Sequence, residues 1–256
     1  MPTPARAELV RLALRCLDLT DLDPDASSES IRELCRRARR PDDRGEVPPV
    51  AAVCVAPPFV SLAREALDGS GVRVATVAGG FPSSVATVDE RVREIGDAIA
   101  AGAEEIDTVL DRMALGAADG EPQVLEELRA SRRAAAEATL KVILETGALD
   151  SPDLIRQACD VAVRAGADFL KTSTGRLGLG ASPGATRLMM EVVRDAAAAG
   201  GRPVGIKVAG GLRTVDDACG YLELASEVLG DRWLDPSRFR IGASSLLDAL
   251  VADGAG

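Results

Sequence analysis

The sequence contains no histidine. That absence excludes Ser-His and Cys-His nucleophile pairs and imidazole-ligated metal sites, and it leaves lysine, carboxylates, cysteine and tyrosine for proton transfer. Aromatic residues make up 2% of the chain, which offers little for base stacking. A net charge of −10 and a pI near 4.7 lack the basic footprint of nucleic-acid binding. No apolar run approaches the ~20 residues of a membrane span. The N-terminal stretch is interrupted by Arg and Asp and does not read as a signal peptide. The five cysteines (Cys16, Cys35, Cys54, Cys159 and Cys219) are scattered and never in CxxC spacing. They fit reduced thiols in a cytoplasmic protein. Neither a GxGxxG after the first strand nor a GxxxxGK[ST] is present, which weighs against an open doubly wound nucleotide-binding sheet.

Lysine is scarce too. Of 30 basic residues only Lys141, Lys171 and Lys207 are lysine, and the other 27 are arginine. All three lie in apolar, strand-like segments: LKVILE, ADFLKT and VGIKVAGG. Arginine keeps its proton inside a protein, whereas lysine can lose it. Lysine kept only at such places points to chemistry that needs a titratable amine. Lys171 stands where the run Ala167–Leu170 emerges, before three hydroxyl residues and Gly175. Poor solvation there disfavours the charged form, and a neutral amine is a nucleophile toward carbonyls. The plainer alternative is a solvated surface lysine.

A chain of 256 residues suits one large domain, here read as residues 1–256 with a core over about 10–252. A leading helix is expected over Ala5–Leu17, a brief strand at LDLT (residues 17–20) and a second helix over Ser27–Arg40. Further strands are expected to begin near residues 50, 72, 104, 139, 167, 203 and 238, 22 to 36 residues apart, with one helix in each gap. Ser151-Pro152 and Ser182-Pro183 place a cap and a first-turn proline at two helix starts. Strands alternating with helices at this spacing mean parallel βαβ units, and eight of them make a single-domain α/β fold, a (β/α)8 TIM barrel with short extra N-terminal helices.

In such barrels chemistry gathers where strands end and βα loops begin. Lys171 and Lys207 fall there on adjacent strands, where two ammonium groups repel and at least one titrates low. Asp107, within EEIDTVL, adds a carboxylate. It reads either as an acid–base group or as a buried ion-pair partner of a lysine. AGGLRT (209–214) and GASSLL (242–247) each precede a helix, where glycines admit a close ligand and N–H groups point outward. Together they suggest phosphate after strands seven and eight; taken singly they are also ordinary turns.

LKVILETG, GADFLKTSTG, VGIKVAGGLRT and RIGASSLL, with EEIDTVL and LDLT, resemble in order the signature segments of the deoxyribose-phosphate aldolase family, over about residues 10–250. The resemblance implies a metal-independent, cofactor-free class I aldolase that reversibly cleaves 2-deoxy-D-ribose 5-phosphate to D-glyceraldehyde 3-phosphate and acetaldehyde. By position Lys171 matches the Schiff-base lysine, Lys207 the lysine that depresses its pKa, and Asp107 the carboxylate of the proton relay. Thr174, Gly175, Arg176, Gly210, Gly211, Gly242, Ser244 and Ser245 match the segments that hold the phosphorylated substrate, with Arg176 where many relatives have lysine. Asp18 and Thr20 match a segment beside the pocket, and Lys141 is expected behind Asp107. Val208 follows Lys207 where some relatives have proline. Some members end in a tail with a terminal tyrosine, whereas this sequence ends at Gly256 and its single tyrosine, Tyr221, is expected mid-helix. Either water and Asp107 move the protons here or turnover is slower. The implied partner is a small phosphorylated aldehyde, with no nucleic acid and no membrane; a homodimer is compatible with this reading. Three alternatives remain: a related Schiff-base lyase on another sugar phosphate, a non-catalytic barrel that binds a phosphorylated ligand, and a metal-dependent aldolase, which the lack of histidine disfavours.

Overall fold

The computed structural model describes residues 6–42 and 44–254. The expected helix start at Ala5 and the chain end at Gly256 lie outside the described residues.

The strands are β1 (Leu17–Asp21), β2 (Ala52–Val55), β3 (Arg73–Val77), β4 (Glu105–Val109), β5 (Thr139–Ile143), β6 (Phe169–Lys171), β7 (Gly205–Ala209) and β8 (Phe239–Ala243). Each pairs in parallel with the next, and β8 closes on β1 through Asp18 opposite Gly242. The helices are α1 (Arg6–Arg15), α2 (Ser28–Arg39), α3 (Val60–Ala66), α4 (Val88–Ala100), α5 (Arg112–Leu115), α6 (Glu121–Ala135), α7 (Pro152–Arg164), α8 (Pro183–Ala198), α9 (Val215–Leu229) and α10 (Leu246–Gly254). The protein is a (β/α)8 barrel. Of the two helices expected ahead of β2, α2 is the first crossover, whereas α1 is the extra one and packs on α9 and α10. The sequence reading did not anticipate α5, a four-residue turn capped by Asp111.

Strand residues alternate between two faces. The outward set, including Leu19, Val53, Val74, Ile106, Val142, Leu170, Ile206 and Ile241, joins the helices in one large apolar cluster. The inward set divides in two. On β2 and β3 it is small and apolar: Ala52, Cys54, Ala75 and Val77, with Leu22 and Phe81 packed against them. On β4 through β8 and β1 it is charged. Phe169 lies inside beside Arg240, whose guanidinium carbon stands 5.6 Å from the ring centroid. Gly205 opposite has no room for a Cβ, which would fall 2.4 Å from that ring.

Helix starts fix the βα loops. Capping boxes join Ser27 to Ser30, Thr87 to Glu90 and Thr214 to Asp217, while Ser151 and Ser182 each cap a helix whose first residue is proline. Each cap satisfies otherwise orphaned N–H groups and contributes about 1 kcal/mol. Among the described residues no helix is long and apolar enough to cross a membrane, and all five cysteines are free and buried.

Candidate active site

Seven ionisable side chains point into the charged half of the barrel: Asp18 (β1), Glu105 and Asp107 (β4), Lys141 (β5), Lys171 (β6), Lys207 (β7) and Arg240 (β8). The strand register aligns them, since Asp107 pairs with Lys141, Lys171 with Lys207, and Lys207 with Arg240. Relative exposure is 0% for Lys141, 4% for Lys171 and 1% for Lys207. Buried charges persist only where they are paired and hydrogen-bonded, and here they are. Asp107 Oδ1 accepts from Lys141 Nζ at 2.8 Å, and its Oδ2 accepts from both Lys171 and Lys207 at 2.8 Å. Lys207 also stands 2.6 Å from Asp18, and Lys141 stands 2.7 Å from Glu105. Arg240 donates to Asp18 at 2.6 Å and to Glu105 at 2.8 and 3.0 Å.

These contacts sort the amines. Burial pushes the Lys171 pKa down; Asp107 opposes that, and neighbouring Lys207 adds to it, so the net direction is down. Burial acts the same way on Lys207 and Lys141, but Asp107 and Asp18 overcome it for Lys207, and Asp107, Glu105 and Asp18 for Lys141, so both are held above the ordinary lysine value. Burial alone would raise Asp107, yet Lys141, Lys171 and Lys207 hold it well below the usual carboxylate range. The same reversal, by Lys207 and Arg240, lowers Asp18. The cluster thus separates one amine inclined to lose its proton from cations that keep theirs.

Above the lysines opens a cavity of about 440 Å³. Every residue expected at the phosphorylated end of the ligand lines it: Thr174, Gly175, Arg176, Gly210, Gly211, Gly242, Ser244 and Ser245. Thr20, Lys171 and Lys207 line it too. Asp18, Asp107 and Lys141 do not; they lie beneath the two lysines that line it. Tyr221 lies mid-helix in α9, as expected, and takes no part in the lining. Gly210 holds φ +88°, and a Cβ there would fall 2.5 Å from Ser173 Oγ. Gly242 leaves space for the Lys207 stem, because a Cβ would meet Lys207 Cε at 3.0 Å.

The hydroxyl run after Lys171 divides its duties. Thr172 Oγ1 and Ser173 Oγ both donate to the Ala209 carbonyl, tying the loop to β7. Thr174 N donates to the buried carboxylate of Glu145 at 3.0 Å. Arg176 donates to the Leu22 carbonyl and so reaches from the β6 loop to the β1 loop. Sequence reasoning missed these anchors, and it also missed Glu105, Arg240 and the lining residue Arg213. For Glu105 a signal existed: it lies two residues before Asp107 and must share its face. The mouth carries Lys171, Lys207, Arg176 and Arg213 against Asp21 and Asp23. An anion is therefore offered local donors despite the negative charge of the whole chain. Chemically, the arrangement can present an uncharged amine to a carbonyl while donors on the far side hold an anionic tail.

Comparison with known proteins agrees with this fold. The family model described as DeoC/LacD family aldolase matches residues 15–251. A provisionally assigned deoxyribose-phosphate aldolase of Toxoplasma gondii ME49 superposes with a TM-score of 0.86 at 26% identity, covering 98% of this chain and 95% of that one. One from Coccidioides immitis, also provisionally assigned, gives 0.78 at 32% identity, covering 99% and 88%. The deoxyribose phosphate aldolase of Aeropyrum pernix, described as a tetramer, gives 0.74 at 27% identity, covering 97% and 92%.

Proposed function

The chain belongs to the DeoC/LacD family of aldolases, and on that premise we propose that it is a class I aldolase that reversibly cleaves 2-deoxy-D-ribose 5-phosphate to D-glyceraldehyde 3-phosphate and acetaldehyde. The observation that carries this reading is a buried amine with a lowered pKa, Lys171, at the floor of a cavity whose rim is rich in N–H donors and cations.

In the proposed cycle, neutral Lys171 Nζ adds to the substrate's C1 aldehyde. Uptake of one proton from water and loss of water give a protonated imine, which withdraws electrons from C2; that proton is released again when the imine is hydrolysed. The C3 hydroxyl proton leaves through water admitted to the cavity and held against Asp107 and Lys207, and the C2–C3 bond breaks. Its electron pair becomes the C1=C2 enamine on Lys171, and C3 becomes the aldehyde of glyceraldehyde 3-phosphate. Returning the proton to C2 and adding water to the imine release acetaldehyde and the free amine, so atoms and protons balance. Lys207 keeps its charge throughout and disfavours protonation of Lys171. The phosphate is assigned to Gly175, Arg176, Gly210, Gly211, Ser244 and Ser245, with Thr174 beside it.

Two measurements test this. Borohydride added with deoxyribose 5-phosphate should trap a two-carbon adduct, mapped by peptide mass to Lys171. An adduct elsewhere, or none, removes the assignment. Ser244→Ala and Arg176→Ala should each raise KM for deoxyribose 5-phosphate about tenfold, the size of one lost hydrogen bond to a charged group. Their effect on unphosphorylated deoxyribose should be small, and equal effects on both sugars would move the phosphate elsewhere. We take the enzyme to work in a reducing compartment, given its five free buried cysteines, and as a homo-oligomer.

A further inference from the structure

Six of the seven lumenal charges form a closed circuit. Arg240 meets Asp18 at 2.6 Å, Asp18 meets Lys207 at 2.6 Å, and Lys207 meets Asp107 at 2.8 Å. Asp107 then meets Lys141 at 2.8 Å, Lys141 meets Glu105 at 2.7 Å, and Glu105 returns to Arg240 at 2.8 Å. Cation and carboxylate alternate all the way round, so the ring is neutral. Lys171 stands outside it. Among the described residues its one carboxylate contact is Asp107 Oδ2, an oxygen that Lys207 already uses.

We propose that Arg240 and Glu105, neither of which lines the cavity, are positioning residues for the aldol reaction: by closing the ring they leave Lys171 as the one lumenal amine with no carboxylate of its own. This rests on the aldolase reading above. Without Arg240, three carboxylates would share two ring cations, and protonation of Lys171 would restore neutrality. Without Glu105, three cations would share two carboxylates, and the excess positive charge would drive the proton off Lys171 more strongly. Among side chains this deeply buried these effects are transmitted with less screening than at the surface.

The other groups around Lys171 do not blur the signs. Cys54 faces it from β2 with its thiol pKa raised by burial and by Asp107, so it adds no charge. Asp107 faces it from β4, Lys141 stands on β5, and Lys207 on β7. Asp18 and Arg240 close the ring from β1 and β8. Arg73 approaches Glu105 at 3.8 Å from a half-exposed position. At the mouth stand Asp21, Asp23, Arg176 and Arg213, in contact with solvent.

The experiment measures the rate at which acetaldehyde plus cyanoborohydride alkylates Lys171, followed by peptide mass against pH. Imine formation requires the free amine and the other steps are common to all variants, so a displaced midpoint reports a displaced loss of that amine's proton. Arg240→Met should raise the midpoint by about one unit or more, cutting labelling near neutrality about tenfold. Glu105→Gln should lower it, and Arg240→Lys should restore the wild-type profile. The double variant Arg240→Met/Glu105→Gln removes one charge of each sign and should also return near wild type, so it carries the test with Glu105→Gln if Arg240→Met does not fold. Generic structural damage does not shift a midpoint in opposite directions. Wild-type labelling at Lys171 with unmoved midpoints in the variants, or shifts of the same sign, would overturn the role of the ring alone. No labelling of Lys171 in the wild type would overturn the aldolase reading and this inference with it.

Discussion

Lys171→Arg is expected to abolish cleavage of deoxyribose 5-phosphate, with kcat/KM falling roughly 10⁴-fold or more, at every pH. The substitution places a permanent cation beside Asp107 on a long flexible stem, and Asp107 can pair with it, so the barrel should survive. The tip of residue 171 opens onto a cavity of about 440 Å³ that can take the larger guanidinium. What is lost is the lone pair, because arginine does not deprotonate in a protein and cannot form the imine. Circular dichroism and thermal melting should show a folded protein beside a null coupled assay. Activity within about tenfold of wild type would mean that Lys171 is not the nucleophile and would end the class I reading.

Lys207→Leu should produce a different defect, one that pH can repair. The substitution removes the cation between Asp18 and Asp107. Three carboxylates then face Lys141, Arg240 and Lys171, and the cluster is neutral only if Lys171 carries its proton. The sign follows from linkage: a carboxylate deprived of one partner stabilises the charged form of the next, so the Lys171 pKa rises. A rise of about two units leaves roughly one amine in a hundred free at a pH where half had been. The kcat/KM at that pH should therefore drop about 50-fold and recover as the pH is raised, with the acidic limb of the profile displaced upward. Breaking a buried pair also costs stability, about 3–5 kcal/mol before Lys171 compensates, so melting should be followed alongside. An acidic limb that stays in place while activity falls uniformly would assign Lys207 to binding or folding.

These two residues were legible in the sequence for a physical reason. A chain that places arginine at nearly every cationic position and lysine at three apolar ones marks those three positions. Glu105 was harder to read. It follows Glu104 in the chain, and only the alternation of β4 separates them. Glu104 faces outward, its side chain 35% exposed and near Arg64, whereas the Glu105 side chain is 1% exposed and joins the ring. Arg240 was harder still: one arginine among 27, its partners 222 and 135 residues away. No local periodicity carries that pairing, which exists only once β8 closes against β1. Thr172 and Ser173 showed in the sequence only as hydroxyl residues after Lys171; that both serve the turn holding it is visible only once β7 lies alongside. The barrel itself was readable because its signal is local and repeated, with caps and first-turn prolines marking where loops become helices. The four-residue α5 is too short to show a helical period.

The rarity of lysine also matters at the bench. All three ε-amines of this protein are confined to the barrel interior, so succinimidyl dyes, bifunctional crosslinkers and amine-reactive resins find none on its outer wall. Such reagents reach an ε-amine only through the mouth, where conjugation would fill the cavity above Lys171. Attachment through surface carboxylates, of which an acidic protein has many, would leave the interior untouched.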